Sequence, residues 1–537
     1  MLLTLIAAAI AMAPPAPPLA QITISPSSGP ADGWHEVSYQ LPTDGVASLI
    51  LRDMTNRSAH CPPVEYAIET VSGATTIEGA GAPPRAIIFL EPDGSPFITV
   101  RFSVRMMQPE GGLSVAAAAG CDLLLDRGES AFLYAQALLP APRAFDANGD
   151  LFFFGETRLG VDGYADGPIL STLGAPNPDG HWRLSHFDEA RFSFFVLSPA
   201  ASSAGPGAYT HIPLDAGSAR HLGIAAIARR VADRLAVMFD APAPETYLMV
   251  TIQADGADVG DVTGTARPSG QHLVTGSAAS SRNLAVLAAH EMAHHWDLSR
   301  FRRLEPLAEL EWMREGLAEY LAHAALTESG DIAGAEMVRR ANRALSNLAL
   351  GHTPQITAYD EGYLVWFALN QAASGAGRFN GFLRALIAPN DAPLTEAGFW
   401  SAVEAAGLRP PGAGDFRAEY GLPCAVEAGE TRFTLMRAAW PSYDTGFTRD
   451  PQDGGRVAQI APDGPADRAG LRESDRIERF LGGAYGSVLE PMALRLSDER
   501  TVEIWPHGPP GSRYLQYVDE NSEAGRWGAE PASTCRG

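Results

Sequence analysis

The residues with the most chemistry in this chain are His290-Glu291-Met292-Ala293-His294 and, downstream, Trp312-Met313-Arg314-Glu315-Gly316. On a helix, positions i and i+4 lie one turn apart on the same face. His290 and His294 can therefore offer two neutral imidazoles to one metal ion. A catalytic zinc takes three protein ligands and keeps one position open. The two imidazoles leave that set one short, and Glu315 is the carboxylate that completes it. Glu291, directly after the first histidine, stands beside such a metal and can take a proton from water. The pattern points to Zn2+ as cofactor and to hydrolysis as the chemistry.

These residues need elements to hold them. Leu284, Leu287 and Ala288 before the motif, and Trp296 and Leu298 after it, continue a helical apolar pattern with no Pro or Gly inside. Positions 295 to 314, 20 residues, separate His294 from Glu315. That length lets the chain leave one helix, turn through Arg302-Arg303-Leu304-Glu305-Pro306, and return on a second helix from about Leu307. Glu319, one turn beyond Glu315, shares that helix face. It is placed to hydrogen-bond a ligand histidine and fix its tautomer.

The two segments resemble the gluzincin peptidases, the group of thermolysin and the membrane alanyl aminopeptidases, and are most similar to the glycyl aminopeptidase family. That family has H-E-x-x-H-x-W, a basic stretch, then W-x-x-E-G-x-x-x-Y. Here the matching residues are His290 to His294, Trp296, Arg300 to Arg303, Trp312, Glu315, Gly316 and Tyr320, with a shorter interval between the motifs. The resemblance implies His290, His294 and Glu315 as zinc ligands and Glu291 as general base. Related aminopeptidases open a helix with Tyr-x-Lys-Gly, whose Tyr stabilises the oxyanion. The match is Tyr359-Asp360-Glu361-Gly362, with Tyr363 as rival. A Gly-rich strand carrying an amine-gripping Glu is matched by Gly264 to Leu273. This places substrate binding at Gly270 and Gln271, with a neutral amide where the family has a carboxylate. An amide pairs poorly with an ammonium.

A second signal lies at Gly455 to Gly482, which resembles a PDZ domain attached to bacterial proteases. The strand Val457 to Ile460, the Gly464-Pro465-Ala466 turn, a short helix ending at Gly470-Leu471, and Asp475-Arg476-Ile477 carry the likeness. Thr445-Gly446-Phe447 resembles the carboxylate-binding loop, and Thr501 to Ile504 alternates as a closing strand. Such domains take a peptide as an added strand.

Hydrophobic residues make up 46 % and charged residues 19 % of 537 residues, which is ordinary for a globular chain of about three domains. The net charge of −23 disfavours nucleic acid and anionic membranes as partners. The apolar run from Met1 to Ala13 is too short to span a bilayer stably and reads as a signal-peptide core without a basic start. Its removal would fall near Ala13 or after Ala20. No other stretch is a membrane-span candidate, so the expected location is exported, periplasmic or secreted. Cys61, Cys121, Cys424 and Cys535 allow three pairings. We expect Cys61–Cys121 in the N-terminal domain and Cys424–Cys535 around the PDZ-like domain, as export permits.

The expected fold is multidomain α+β. Residues 1–20 are a signal peptide and 21–205 a β-sandwich-like domain. Residues 206–425 form a thermolysin-like, mostly α zinc peptidase domain, 426–506 a PDZ-like β-rich domain and 507–537 a tail wrapping it. Strands are expected at Glu36–Leu41, Phe97–Val104 and Arg191–Val196, a boundary at 200–208, and a helical break at Arg409-Pro410-Pro411-Gly412. A helix should present Ile224, Ile227, Val231, Leu235 and Met238 on one face, and Tyr247 to Ile252 should form the edge strand above the metal. The function expected is an exported zinc metallopeptidase acting on peptides or proteins, aminopeptidase-like. The rivals are an endopeptidase or dipeptide-releasing enzyme of the same fold, and a PDZ peptide-binding protein with a vestigial zinc site.

Overall fold

The computed structural model describes residues 19–535 apart from 27–33, 54–60, 77–85, 108–111, 120, 127–129, 153, 163–168, 199–208, 216, 222, 255–261, 268, 277–278, 301–309, 351–353, 374–375, 388–393, 409–420, 451–454, 483–487 and 520–527. Most of the expected signal peptide, the 302–306 turn, the 200–208 boundary and the 409–412 break lie outside the described residues. No described helix is long and apolar enough to cross a membrane.

Apolar residues alternating with polar ones build the N-terminal sheets. His35–Pro42 and Phe97–Met106 bury every second side chain, among them Val37, Tyr39, Val100 and Phe102. They pair antiparallel inside a six-stranded sheet. A five-stranded sheet and a four-stranded sheet add to it, and all three feed one core. The N-terminal region therefore has a third sheet that a plain sandwich lacks. The expected strand at Arg191 begins later. Phe187–Arg191 is helical, and Phe194–Leu197, buried throughout, is the strand.

A second four-stranded sheet joins this region to the helices. Its order is Tyr209–Pro213, Tyr247–Gln253, Gly270–Thr275, Val262–Arg267. The first three strands run parallel and the last antiparallel. This corrects the position of the edge strand, which is Val262–Arg267. Tyr247–Gln253 is interior because its continuous apolar run covers both faces. Tyr247 and Met249 enter the helical core, while Leu248, Val250 and Ile252 enter the N-terminal core. The helix Ile224–Phe239 buries Ile224, Val231, Leu235 and Met238 as the periodicity requires, with Ile227 partly buried at the rim.

The last segments do not form a separate tail. His507–Asp519 pairs along Thr431–Tyr443 as a long ribbon. Leu435, Leu515 and Tyr517 of that ribbon belong to the helical core. Its docking helix is Ala335–Leu350, where Asn342 Nδ2 donates to the Tyr517 carbonyl at 2.8 Å. Disulfides join Cys61 to Cys121 and Cys424 to Cys535, the latter linking the segments that precede and follow the ribbon.

His272 marks the joint between the two halves. Its ring lies among Phe132, Tyr134 and Phe194 of the N-terminal core, at 5.0, 6.1 and 6.5 Å. Burial, and then the Arg267 charge, push its pKa down to about 3. The unfolded value is about 6.5. Between these values the unfolded chain binds the extra proton. The stability contributed by neutral His272 is thus full above the unfolded pKa and is lost as pH falls towards the folded one. Melting temperatures measured from neutral pH down to about pH 4 should fall less steeply for His272→Phe than for the wild type. Identical slopes would show that His272 contributes nothing to acid sensitivity.

Candidate metal centre

Two helices carry the candidate ligands. Ser281–Arg300 presents His290 and His294, and buries Leu284, Ala288, Met292 and Trp296 against the sheet and the helix Ile224–Phe239. Trp296 stacks on Phe239 at 6.0 Å, which fixes the rotation of this helix. Glu311–Glu328, expected from about Leu307, presents Glu315; it is buried on most of its circumference, as an interior helix should be.

The donor atoms converge. His290 Nε2 lies 3.1 Å from His294 Nε2 and 3.2 Å from Glu315 Oε2, and His294 Nε2 lies 3.4 Å from the same oxygen. Each of the three residues is buried. They form a His2Glu cluster whose ligand atoms all lie within 4.8 Å of one another. Two imidazole nitrogens facing each other beside a carboxylate suit a shared divalent cation, and this donor set suits zinc.

The surroundings complete the arrangement. Glu319 Oε2 lies 3.2 Å from His290 Nδ1, on the side away from the cluster. Burial draws the His290 imidazole down, but Glu315 and Glu319 outweigh it and push its pKa up to about 9. Burial lifts Glu315, yet His294 and His290 hold it well below the carboxylate range. Burial raises Glu291, against the pull of His290 and His294. Gly264 of the edge strand faces Glu291. A Cβ there would sit 3.0 Å from Glu291 Oε1, so glycine keeps space open beside that carboxylate.

Tyr359 reaches the cluster from a third helix, Pro354–Ala372. It lies in the second turn of that helix and does not open it as the resemblance implied. Its ring stacks on His290 at 5.8 Å. Burial and then the nearby Glu315 carboxylate raise the phenol well above its ordinary pKa, so it remains a proton donor. The rival Tyr363 is fully buried and donates to the Met337 carbonyl at 2.8 Å, so it is a packing residue.

The placement of Tyr359 depends on two glycines. A Cβ on Gly362 would meet the Trp312 carbonyl oxygen at 1.9 Å, and one on Gly316 would meet Gly362 Cα at 2.3 Å. The Glu315 and Tyr359 helices therefore cross with their backbones in contact. Trp366 Nε1 donates to the Met313 carbonyl at 3.0 Å across the same crossing.

Other expected site residues are placed elsewhere. Gln271 is fully buried in the interior strand and its Oε1 accepts from Tyr247 Oη at 3.1 Å. Gly270 is packed under Leu248, Thr172 and Phe194. Neither lies on the edge strand, so the substrate-binding expectation for this pair is corrected. The register Ala266↔Gln271 sets Gln271 one strand too deep. The edge strand instead ends in Arg267, which lies 3.9 Å from Asp122 and over the Tyr134 ring. Thr445, Gly446 and Phe447 belong to the C-terminal module, where Phe447 packs on a small core of its own. The Gly446 N–H there donates to Asp444 Oδ1 at 2.8 Å. Sequence reasoning named Gly264 only as the start of a Gly-rich stretch and missed its place beside Glu291, and it missed Arg340, whose partners come from two other helices.

No protein-family model matches this chain, and no curated protein does. Solved structures of similar shape include an aminopeptidase N family protein from Idiomarina loihiensis, at 14% identity and TM-score 0.49, over 93% of this chain and 98% of that one. A variant M1 zinc metallopeptidase from Deinococcus radiodurans bound to a Tyr-Ser-Ala substrate gives 15% identity and TM-score 0.43, over 75% and 94% of the two chains. Yeast LTA4 hydrolase in complex with bestatin gives 12% and 0.43, over 76% and 68%.

Gly362→Ala tests the crossing. The added methyl must push the two helices apart, at a cost near or above the upper end of ~1–3 kcal/mol for overpacking. Denaturant titration should show that loss, and the metal affinity should fall with it as Glu315 shifts. Unchanged stability would show that the crossing is not tight.

Proposed function

We propose that this chain is a zinc-dependent peptidase, aminopeptidase-like in its site. The observation that carries this reading is the convergence of His290, His294 and Glu315 with Glu291 and Tyr359 around them. Zinc held by the three ligands would polarise the scissile carbonyl and make a water acidic enough to attack at neutral pH. Glu291 accepts a proton from the attacking water on its carboxylate and delivers it to the leaving amine nitrogen. Tyr359 donates its hydroxyl proton in a hydrogen bond to the developing oxyanion. The edge strand Val262–Arg267 offers its backbone to an extended peptide, and Gly264 leaves room beside Glu291.

A second reading, an endopeptidase or dipeptide-releasing enzyme, is favoured by one observation. The edge strand ends in the cation Arg267, and Gln271 is sealed in the interior, so neither supplies an anion for a free α-amine. Product mapping on free and N-acetylated peptides separates the two. Release of single residues from free amino termini alone supports the first reading, and release of dipeptides, or equal cleavage of blocked peptides, supports the second.

The variants Glu291→Gln and His294→Ala test the chemistry. Glu291→Gln should keep one zinc per chain by elemental analysis and lose hydrolysis by several orders of magnitude, because it removes proton transfer and no ligand. His294→Ala should lose the metal itself. Near-normal turnover in either variant would contradict the assignment.

The C-terminal module is read as PDZ-like, taking an extended peptide as an added strand. Support comes from the two-stranded sheet of Phe447–Arg449 and Val457–Ile460, and from the short helix Pro465–Arg468 beside Gly446. Phe447→Asp should then slow cleavage of long peptides and spare short ones. Equal loss on both would assign the module a structural role. Export is read from the apolar start and the two disulfides. Amino-terminal sequencing of the protein recovered outside the cytoplasm should begin near residue 14 or 21.

A further inference from the structure

Behind the metal cluster, one buried arginine joins two carboxylates from different helices. Arg340 lies on Ala335–Leu350 and is 5 % exposed. Its Nε donates to Glu319 Oε1 at 2.6 Å, and its Nη1 donates to Asp360 Oδ1 at 2.7 Å. Glu319 uses its other oxygen towards His290 Nδ1. Asp360 directly follows Tyr359, and its second oxygen accepts from Asn347 Nδ2 at 2.7 Å. The guanidinium lies over the Tyr363 ring, 4.9 Å from its centre. One planar cation thus connects the residue behind a candidate ligand to the turn that carries the candidate oxyanion donor.

The geometry explains the residue type. Guanidinium donors diverge in a fixed plane and can serve two carboxylates at once, whereas an ammonium is a point charge on a flexible stem. Removing the cation would leave two buried carboxylates without their main partner, which is strongly unfavourable. Arg343 does not replace it, since it reaches Glu319 only at 3.7 Å from a partly exposed position. The helix that carries Arg340 is itself held from behind. The Tyr517 N–H donates to Asn342 Oδ1 at 2.6 Å, and Gln516 Nε2 donates to Ser346 Oγ at 2.6 Å.

We propose that Arg340 is a positioning residue for the hydrolytic site: it fixes Glu319 against His290 and fixes the helical turn bearing Tyr359, and it does not touch the substrate. This rests on the zinc-peptidase reading above.

The test uses the full chain as wild type, Arg340→Gln, Arg340→Lys, Glu319→Gln, and the double variant R340Q/E319Q. Zinc affinity is measured by competition with a chelator, and folding by circular dichroism. Arg340→Gln should weaken zinc binding by about 10–100-fold, the range for loss of support behind a ligand. Arg340→Lys, which keeps the charge and loses the fork, should fall between it and the wild type. In the Glu319→Gln background the same arginine change should cost only about two-fold, because the connection to His290 is already broken. Turnover with zinc bound should fall in kcat with KM unchanged. Wild-type zinc affinity in folded Arg340→Gln, or the full penalty persisting in the double variant, overturns the proposal alone. A wild-type chain that binds no zinc overturns the reading beneath it, and the proposal with it. If Arg340→Gln does not fold, Arg340→Lys decides by the same criteria.

Discussion

The backbone contact between Gly316 and Gly362 is the constraint on which the site depends. Any side chain at either position would collide with main-chain atoms of the other helix, because those atoms leave no space for a Cβ. Glu315 immediately precedes one glycine, and Tyr359 lies three residues before the other. The carboxylate proposed to complete the ligand set and the phenol stacked on His290 are therefore brought together by a single close approach. The burial of Trp366 and its hydrogen bond to the Met313 carbonyl hold the crossing from the far side.

A second constraint is charge. His290, His294, Glu291, Glu315, Glu319, Arg340 and Asp360 are all shielded from solvent in one region. Buried charges are tolerated when they are paired and hydrogen-bonded, and breaking one pair exposes the desolvation cost of its partner. The region meets this condition as a chain. Glu315 faces the two imidazoles, Glu319 backs His290, Arg340 bridges Glu319 and Asp360, and Asn347 takes the remaining Asp360 oxygen. The C-terminal ribbon packs against the arginine helix, so residues more than a hundred positions downstream of Arg340 brace the site.

What the sequence showed follows the range of each interaction. His290, Glu291 and His294 were readable because their geometry lies within one helical turn. Glu315 and Glu319 were readable by the same rule on a second helix, whose approach to the first had to be assumed. Tyr359 came from a resemblance, and no local pattern distinguishes it from Tyr363. Gly270 and Gln271 were misplaced because strand register is non-local. A segment with the right composition occupied the interior strand, and the exposed edge fell to Val262–Arg267. The edge assignment of Tyr247 to Ile252 failed although its apolar run on both faces was visible and argued for an interior strand. Arg340 gave no signal, since its two partners lie 21 and 20 residues away on separate helices.

His290, His294 and Glu315 are proposed to hold one catalytic metal. X-ray absorption at the zinc edge of the purified, fully loaded chain tests it most directly. The expected coordination shell holds nitrogen and oxygen only, with the multiple-scattering signature of two imidazoles. His294→Ala should give no bound-zinc spectrum, since that variant does not keep the metal. A sulfur shell, an all-oxygen shell, or a chain that retains no zinc would contradict it.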